Sequence, residues 1–448
     1  MTKDNGTFCG EPLLNLSTRG IGHVQQCSQV KYIQGIPKKG TVDGLNIKDG
    51  YVYVDGVKQE LFNLKVDSWQ DVWNSEYLQD LRYKQANGIK NPTCELCYFM
   101  KGHSKRARYI TDADYYRPLY KEESPNKLEL RLSNECNLSC RFCTPINSSI
   151  YEKEMIKLSK NEKNIPDIVK KNYVAVAERV YDLKQKGVKF LRDTVDNLQE
   201  LLHNVRIIEI HGGEPTLETK LWEVLENLDL SDKEFICYSN IIQLTDYHIE
   251  ILNRFRAGRF IASIDVADES ISYIRYPAKW EVVSQNAMML KQFKPEIEIQ
   301  ISMTFQIYNM FRIANSIKWV VENFKDCDNH KPKFSVIQKP AYLSPNLVDY
   351  KDRISLAESI RISKNNLFQG LSKKKRKIYE RSLDEVIDYL KIEKIENSIP
   401  DVTSYIKGNN PKQIRAVLIR QFWEFTRTLD KSRRQDFLTV YPEFKGKL

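Results

Sequence analysis

Nowhere in these 448 residues do about 18 apolar residues run without interruption, as a membrane-spanning helix requires. The opening MTKDNGTFCGEPLLNLS also lacks a basic segment followed by an apolar run, the pattern of an export signal. Both absences lead to the expectation of a cytoplasmic protein with no membrane partner. Internal repeats and low-complexity tracts are missing as well, which argues against a solenoid or a linker-dominated chain. The nine cysteines are an odd number and cannot all pair. A reducing compartment keeps thiols free, so their spacing is read first as metal or cluster chemistry.

What is present is ample for packed cores: 41% of residues are hydrophobic and 11% aromatic, enough for two or three domains. The formal net charge is +10, and from Asn365 to Leu448 there are 18 Lys/Arg against 11 Asp/Glu. Lys373, Lys374, Lys375, Arg376 and Lys377 stand in a row there. Such a run is either a solvated helix face or an attractor of nucleic acid or an acidic partner.

From Leu128 onward short apolar segments alternate with amphipathic ones, and strands are expected at 128–132, 206–210, 235–238, 260–264, 297–305 and 334–337. Ile297, Ile299, Ile301, Met303 and Phe305 keep a period of two. Stretches such as 280–293 and 311–323 are long enough for helices. Strands separated by helices imply parallel βα units, hence an α/β fold of the partial (β/α)6 TIM-like barrel type. The connection 148–204 exceeds one crossover helix and reads as a helical insertion. Three regions are expected: a Cys-rich segment 1–115, the barrel 126–340 with its insertion, and a basic helical region 343–448.

Leu128, Leu130 and Leu132 alternate on one strand that ends at Ser133–Asn134, where ECNLSCRFCTP begins a loop. Cys136, Cys140 and Cys143 therefore lie at the C-terminal end of a strand, the edge where parallel α/β sheets place ligands. Structural zinc takes four protein ligands, whereas a cubane iron–sulfur cluster takes one cysteine per iron. Three cysteines would leave one iron open to an outside ligand.

The spacing Cys-x3-Cys-x2-Cys, with Phe142 before the last cysteine, resembles the signature of the radical S-adenosylmethionine enzymes. That resemblance implies a [4Fe–4S] cluster on Cys136, Cys140 and Cys143 whose open iron chelates S-adenosylmethionine, with Phe142 near the adenine. After the second expected strand comes His211-Gly212-Gly213-Glu214-Pro215. By itself this is a strand–turn–helix junction. In the family a GGE motif in this place helps hold the cofactor's amino group, which maps onto Gly212, Gly213 and Glu214. Ser239-Asn240 and Ser263-Ile264-Asp265 resemble the polar strand ends that bond the ribose and methionine carboxylate. Where many relatives read Thr-Asn-Gly, this chain has Ser239-Asn240-Ile241, so a glycine is missing. His211 is expected to be a structural neighbour of the turn, Cys237 a buried strand residue and Cys327 a helix-end thiol.

Cys9, Cys27, Cys94 and Cys97 precede this region, the last two as a CxxC pair. Four thiolates make a complete tetrahedral set, and both zinc and an auxiliary [4Fe–4S] cluster fit it. Cys-x12-Gly-x4-Cys resembles the opening of the SPASM and twitch modules, although those usually follow the barrel. Ser104, Arg106 and Arg108 form a basic loop after the CxxC. The segment from Ser263 through Asn286, which includes Trp280, also resembles the corresponding segment of twitch-containing radical proteins.

The resemblance implies one-electron reduction by a donor such as flavodoxin or ferredoxin, cleavage to a 5′-deoxyadenosyl radical, and hydrogen abstraction from a substrate, most often a peptide or protein. An RNA substrate is the alternative suggested by the basic C-terminal region. A zinc-stabilised nucleic-acid-binding protein with no redox activity is the alternative of another class.

Overall fold

The computed structural model describes residues 9–27, 35–48, 51–94, 121–337, 339–393 and 411–448. Its strands in chain order are β1 (Asn15–Thr18), β2 (Val24–Gln25), β3 (Leu45–Lys48), β4 (Tyr51–Val54), β5 (Val57–Lys58), β6 (Lys127–Arg131), β7 (Ser139–Cys140), β8 (Ile207–His211), β9 (Glu234–Ser239), β10 (Ala257–Ser263), β11 (Arg275–Tyr276), β12 (Ile297–Phe305) and β13 (His330–Val336). Eight of them form one mostly parallel sheet in the order β13-β12-β10-β9-β8-β6-β1-β2. The six strands expected from the sequence are β6, β8, β9, β10, β12 and β13, and they neighbour one another in chain order, as in a partial (β/α)6 barrel. Helices Thr219–Glu226, Asp246–Arg254, Trp280–Met289 and Ile313–Phe324 fill the successive crossovers after β8.

Two strands of the sheet were not expected. β1 lies parallel to β6, with Ser17 opposite Glu129, and β2 returns antiparallel to β1. The strand NLST is short and three of its four residues are polar, so it gives no apolar run to recognise. β3, β4 and β5 make a separate antiparallel sheet.

The chain forms two compact units. The first draws on 1–134, 188–237 and 254–258, the second on 135–187, 238–253 and 259–448, so the 148–204 insertion contributes to both. In the first unit one sheet face is apolar, with Leu16, Leu128, Leu130, Ile208, Ile210 and Phe235 buried. Each such side chain contributes roughly 1.5–3 kcal/mol by leaving water. In the second unit β12 alternates buried and half-buried residues throughout, as its period of two requires. Helix Ile313–Phe324 buries Ile313, Ile317, Val320, Val321 and Phe324, a stripe at helical spacing.

The basic run begins helix Lys373–Leu390, which Ser372 caps by accepting from the Lys375 amide. Cations at a helix N-terminus oppose its dipole by about 0.3–1 kcal/mol each. Lys375 offsets this by donating to the carbonyls of Lys325 (2.6 Å) and Cys327 (2.9 Å), just beyond the C-terminal end of helix Ile313–Phe324. Arg376 donates to Glu380 and Asn365.

The same helix sets a pH limit. His330, 3% exposed, accepts from or donates to the Tyr379 hydroxyl at 2.8 Å. Burial, then Lys375, pushes its pKa down to about 3. The unfolded chain takes up this proton near pH 6.5 while the folded chain refuses it. Stability is therefore full above pH 6.5 and is lost as pH falls toward 3. At pH 5 this single site costs about 2 kcal/mol. Urea melts at pH 7 and pH 5 should show that increment in the wild type and its absence in His330→Phe.

Candidate functional site

The cysteine loop leaves β6, and its three cysteines all belong to the second unit. The Ser149 hydroxyl contacts both the amide and the carbonyl of Cys136, at 3.2 and 3.3 Å, and the Ser148 hydroxyl donates to the Leu138 carbonyl at 2.5 Å. Ser148 also caps helix Ser149–Asn161. The start of the 148–204 insertion thus ties down the first cysteine.

The second cysteine sits in a two-residue ladder: β7 pairs antiparallel with β11, placing Cys140 opposite Arg275. The Arg275 guanidinium donates to Asp265 through Nε at 2.7 Å, and its Nη1 lies 3.9 Å from the Cys140 Sγ. It also stands 5.1 Å from the centre of the Phe142 ring. Burial opposes charge on Arg275, but Asp265 together with the neighbouring Cys140 and Cys143 outweighs it and holds the guanidinium protonated. Burial pushes the Cys140 thiol up, and Arg275 partly offsets this. Burial, then Cys140, raises Cys143 to about 12, so these two thiols face one another electrostatically.

Asp265 is wholly buried and has both carboxylate oxygens in use, one on Arg275 and one accepting from the Thr304 amide at 2.8 Å. Ser263, the last residue of β10, is half-buried. Asn240 donates through Nδ2 to Asn137 at 2.7 Å, and the same nitrogen lies 4.0 Å from the Cys136 Sγ. Its Oδ1 accepts from the Ile242 amide, while the Ser239 hydroxyl accepts from the Ile241 amide. Within this unit, then, Cys136 and Asn240 meet, and Cys140, Phe142 and Asp265 meet through Arg275.

The residue that sequence reasoning missed is Arg275. Its only local signal was the IRYP stretch, and the partners lie 10 and 135 residues away. A second omission is Arg141, wholly buried between Cys140 and Phe142 in sequence. It donates to the Tyr273 carbonyl (2.8 Å) and to Asp430 (2.5 Å), with its guanidinium 3.6 Å from the Tyr273 ring centre. Arg433, from the same C-terminal helix Pro411–Arg433, donates to the Ser139 carbonyl and to Glu154.

The Gly212–Glu214 turn belongs to the first unit. Gly212 has φ +139°, a conformation L side chains rarely adopt, and a Cβ there would come within 3.4 Å of the Ser133 carbonyl oxygen. Gly213 follows half-buried. Glu214 accepts from the amide and hydroxyl of Thr216, closing the turn Pro215–Leu217. Cys237 is buried in β9, where burial raises its pKa far above the usual thiol value, and Cys327 lies just past helix Ile313–Phe324.

Also in the first unit, Gln85 accepts from the Cys9 amide (3.1 Å) and donates to the Cys94 Sγ (3.6 Å). Gln26, beside Cys27, donates to Thr93, beside Cys94. Three of the four N-terminal cysteines are thereby linked through adjacent groups. Cys97, Ser104, Arg106 and Arg108 lie outside the described residues.

Among the described residues no three His, Cys, Asp or Glu side chains converge as one metal ion requires. A cubane instead gives each thiolate its own iron, and Cys136, Cys140 and Cys143 supply from one loop the three thiolates that a cubane with one open iron takes. N–H groups beside two of the three sulfurs, from Asn240 and Arg275, are the contacts that stabilise cluster sulfur. The donor set fits the group. A separate cavity of about 600 Å³ between Leu158, Ile165, Trp423 and Arg427 contains none of these residues.

Arg141 carries a quantitative expectation. Replacing it by Leu leaves Asp430 buried without its cation, a loss of about 3–5 kcal/mol. Urea melts of iron-free protein should show it, and the double variant Arg141→Leu/Asp430→Leu should recover part of the loss.

No protein-family description matches the chain, and no curated protein matches it. Solved structures that resemble it include native anSMEcpe with bound AdoMet and Kp18Cys peptide, at 18% identity over 53% of this chain and 59% of that one, TM-score 0.29. TYW1 with a lysine-pyruvate adduct bound is 19% identical over 51% of this chain and 70% of that one, TM-score 0.28. Streptococcus suis SuiB is 15% identical over 72% and 67%, TM-score 0.33. The chain spans 59% of the length of the first of these.

Proposed function

We propose that this chain is a radical S-adenosylmethionine enzyme acting on a peptide or protein. One observation carries the proposal: a Cys-x3-Cys-x2-Cys loop leaves a parallel strand, and side-chain N–H groups face two of its three sulfurs. When bound, the cluster and the sulfonium cofactor would supply one-electron cleavage of a C–S bond and hydrogen-atom abstraction from the substrate.

The chain's own residues hold and orient. Cys136, Cys140 and Cys143 would take the cluster. Arg275, fixed by Asp265, keeps a positive charge beside the Cys140 sulfur and the Phe142 ring, so Asp265 acts as a positioning residue through Arg275. Asn240 supplies the donor at Cys136. Gly212, Gly213 and Glu214 would receive the cofactor's amino group, and Ser239 with Ser263 its ribose or carboxylate. Cys9, Cys27, Cys94 and Cys97 would hold a second centre, an auxiliary [4Fe–4S] cluster with zinc as its competitor. The electron would come from a small donor such as flavodoxin or ferredoxin. The peptide preference follows from the N-terminal spacing, which resembles modules carried mostly by enzymes of peptide substrates.

Oxygen-free, iron-reconstituted protein given dithionite and S-adenosylmethionine should yield 5′-deoxyadenosine and methionine. Cys140→Ala should abolish both products while retaining the N-terminal metal, measured by elemental analysis. Undiminished cleavage in that variant would overturn the assignment. Broad visible charge-transfer absorption surviving in Cys140→Ala identifies the second centre as iron–sulfur, and its absence beside bound zinc identifies zinc.

A further inference from the structure

The second face of the first unit's sheet is polar, and its side chains lie in rows across parallel strands. Ser17, Glu129 and Glu209 stand in register on β1, β6 and β8. Two residues further, at the C-terminal edge, Arg131 lies opposite His211. Arg19, the residue after β1, lies just beyond the paired part of that strand, its amide on the His23 carbonyl at 2.7 Å, and its neighbour Thr18 brings it to the other side of Arg131. The Thr18 hydroxyl holds these two strand ends together, accepting from the Arg131 amide at 2.8 Å and meeting its carbonyl at 3.3 Å. Arg131 and His211 thus stand side by side, with Arg19 next to Arg131 through Thr18, at the edge where α/β sheets take ligands.

The rows beneath neutralise only part of this positive charge. Arg131 reaches Glu129 at 3.0 Å, and His211 reaches Glu209 at 2.6 Å. Lys127, one row lower, takes Glu209 at 2.6 Å and Glu11 at 3.3 Å. Arg19 has no ion pair and no side-chain hydrogen bond among the described residues, and the buried Nε of Arg131 likewise has no partner among them. A half-buried cation next to another is costly unless an anion joins it. Burial, and then Arg131, lower the Arg19 pKa, and Glu129 and Cys27 offset only part of this.

We infer that Arg19 and Arg131 form a binding site for a carboxylate of the substrate. A planar guanidinium offers a fork of N–H donors that matches two carboxylate oxygens, and Arg19 keeps its whole fork for that use. The owner of the carboxylate, a peptide chain end or an acidic side chain, rests on the peptide reading above; the oxyanion site itself does not. Cys27 lies within electrostatic reach of Arg19, so the iron-reconstituted protein is the form to measure.

The test is thermal melting at fixed ionic strength with four probes: N-acetylglycinate for a chain end, N-acetylaspartate α-amide for a side chain, N-acetylglycinamide as the neutral control, and inorganic phosphate. One or both carboxylates should raise Tm by about 1–2 °C over the neutral control. Arg19→Gln should remove that rise while leaving the ligand-free Tm unchanged or higher, because it relieves a buried charge that Glu129 and Cys27 offset only in part. Arg19→Lys should restore part of the rise. The inference is overturned if neither carboxylate shifts the wild type or if the shift persists in Arg19→Gln. It is equally overturned if phosphate shifts Tm more than both carboxylates, or if Arg19→Gln alone destabilises the protein. No reductant or sulfonium enters this measurement, so its failure and the failure of reductive cleavage are separately visible.

Discussion

The second unit depends on one buried ion pair, Arg275 with Asp265. Removing two charges from water costs several kcal/mol per ion, which is repaid only when geometry is good and the remaining polar positions are filled. Here they are filled. The second oxygen of Asp265 takes the Thr304 amide, and its backbone carbonyl takes the Asn309 amide side chain at 2.8 Å. The strand ends of β10 and β12 are thereby locked to a segment whose own ladder, β7 with β11, is only two residues long. So short a ladder cannot stand alone in water. The ion pair therefore fixes where the Cys140 sulfur lies, and the same guanidinium then presents its free edge to that sulfur.

The C-terminal helices are part of this arrangement. Arg141 is sealed between the Tyr273 ring, Asp430 and Gln435, and Asp430 also accepts from the Tyr273 hydroxyl at 2.7 Å. Arg433 closes over Ser139 and Glu154 from the same helix. The positive charge concentrated in this part of the sequence is consequently a poor measure of surface attraction. Lys375 and Arg433 make contacts inside the protein and Arg376 pairs with Asn365 at its surface, leaving Lys373, Lys374 and Lys377 of the run exposed.

Local periodicity made the six sheet strands and their helices legible, because a buried face repeats every two residues in a strand and every three or four in a helix. The cysteine loop was legible from spacing, since ligand spacing is local too. β1 was not, because four residues of mixed polarity carry no period. Arg275, Arg141 and Asp430 were not, because a buried charge is defined by its partner, and Arg141 meets Asp430 across 289 positions. Arg19 and Arg131 became a pair only when the parallel pairing of β1 with β6 was known.

Position 241 shows what a motif's letters leave out. Ile241 stands where a glycine was expected, yet its φ is +60°, the left-handed conformation glycine adopts freely. A β-branched residue pays about 1–3 kcal/mol to stay there, and it persists only if its surroundings over-determine it. They do: Ser239 and Asn240 accept from the amides of Ile241 and Ile242, and Asn286 donates to both their carbonyls, at 2.7 and 3.1 Å. The fully buried isoleucine side chain returns a comparable amount by leaving water. With Oδ1 committed to that turn, the Asn240 amide can point its Nδ2 only one way, toward Asn137 and the Cys136 sulfur. The backbone geometry of the turn, rather than the identity of the third residue, delivers the donor to the cysteine.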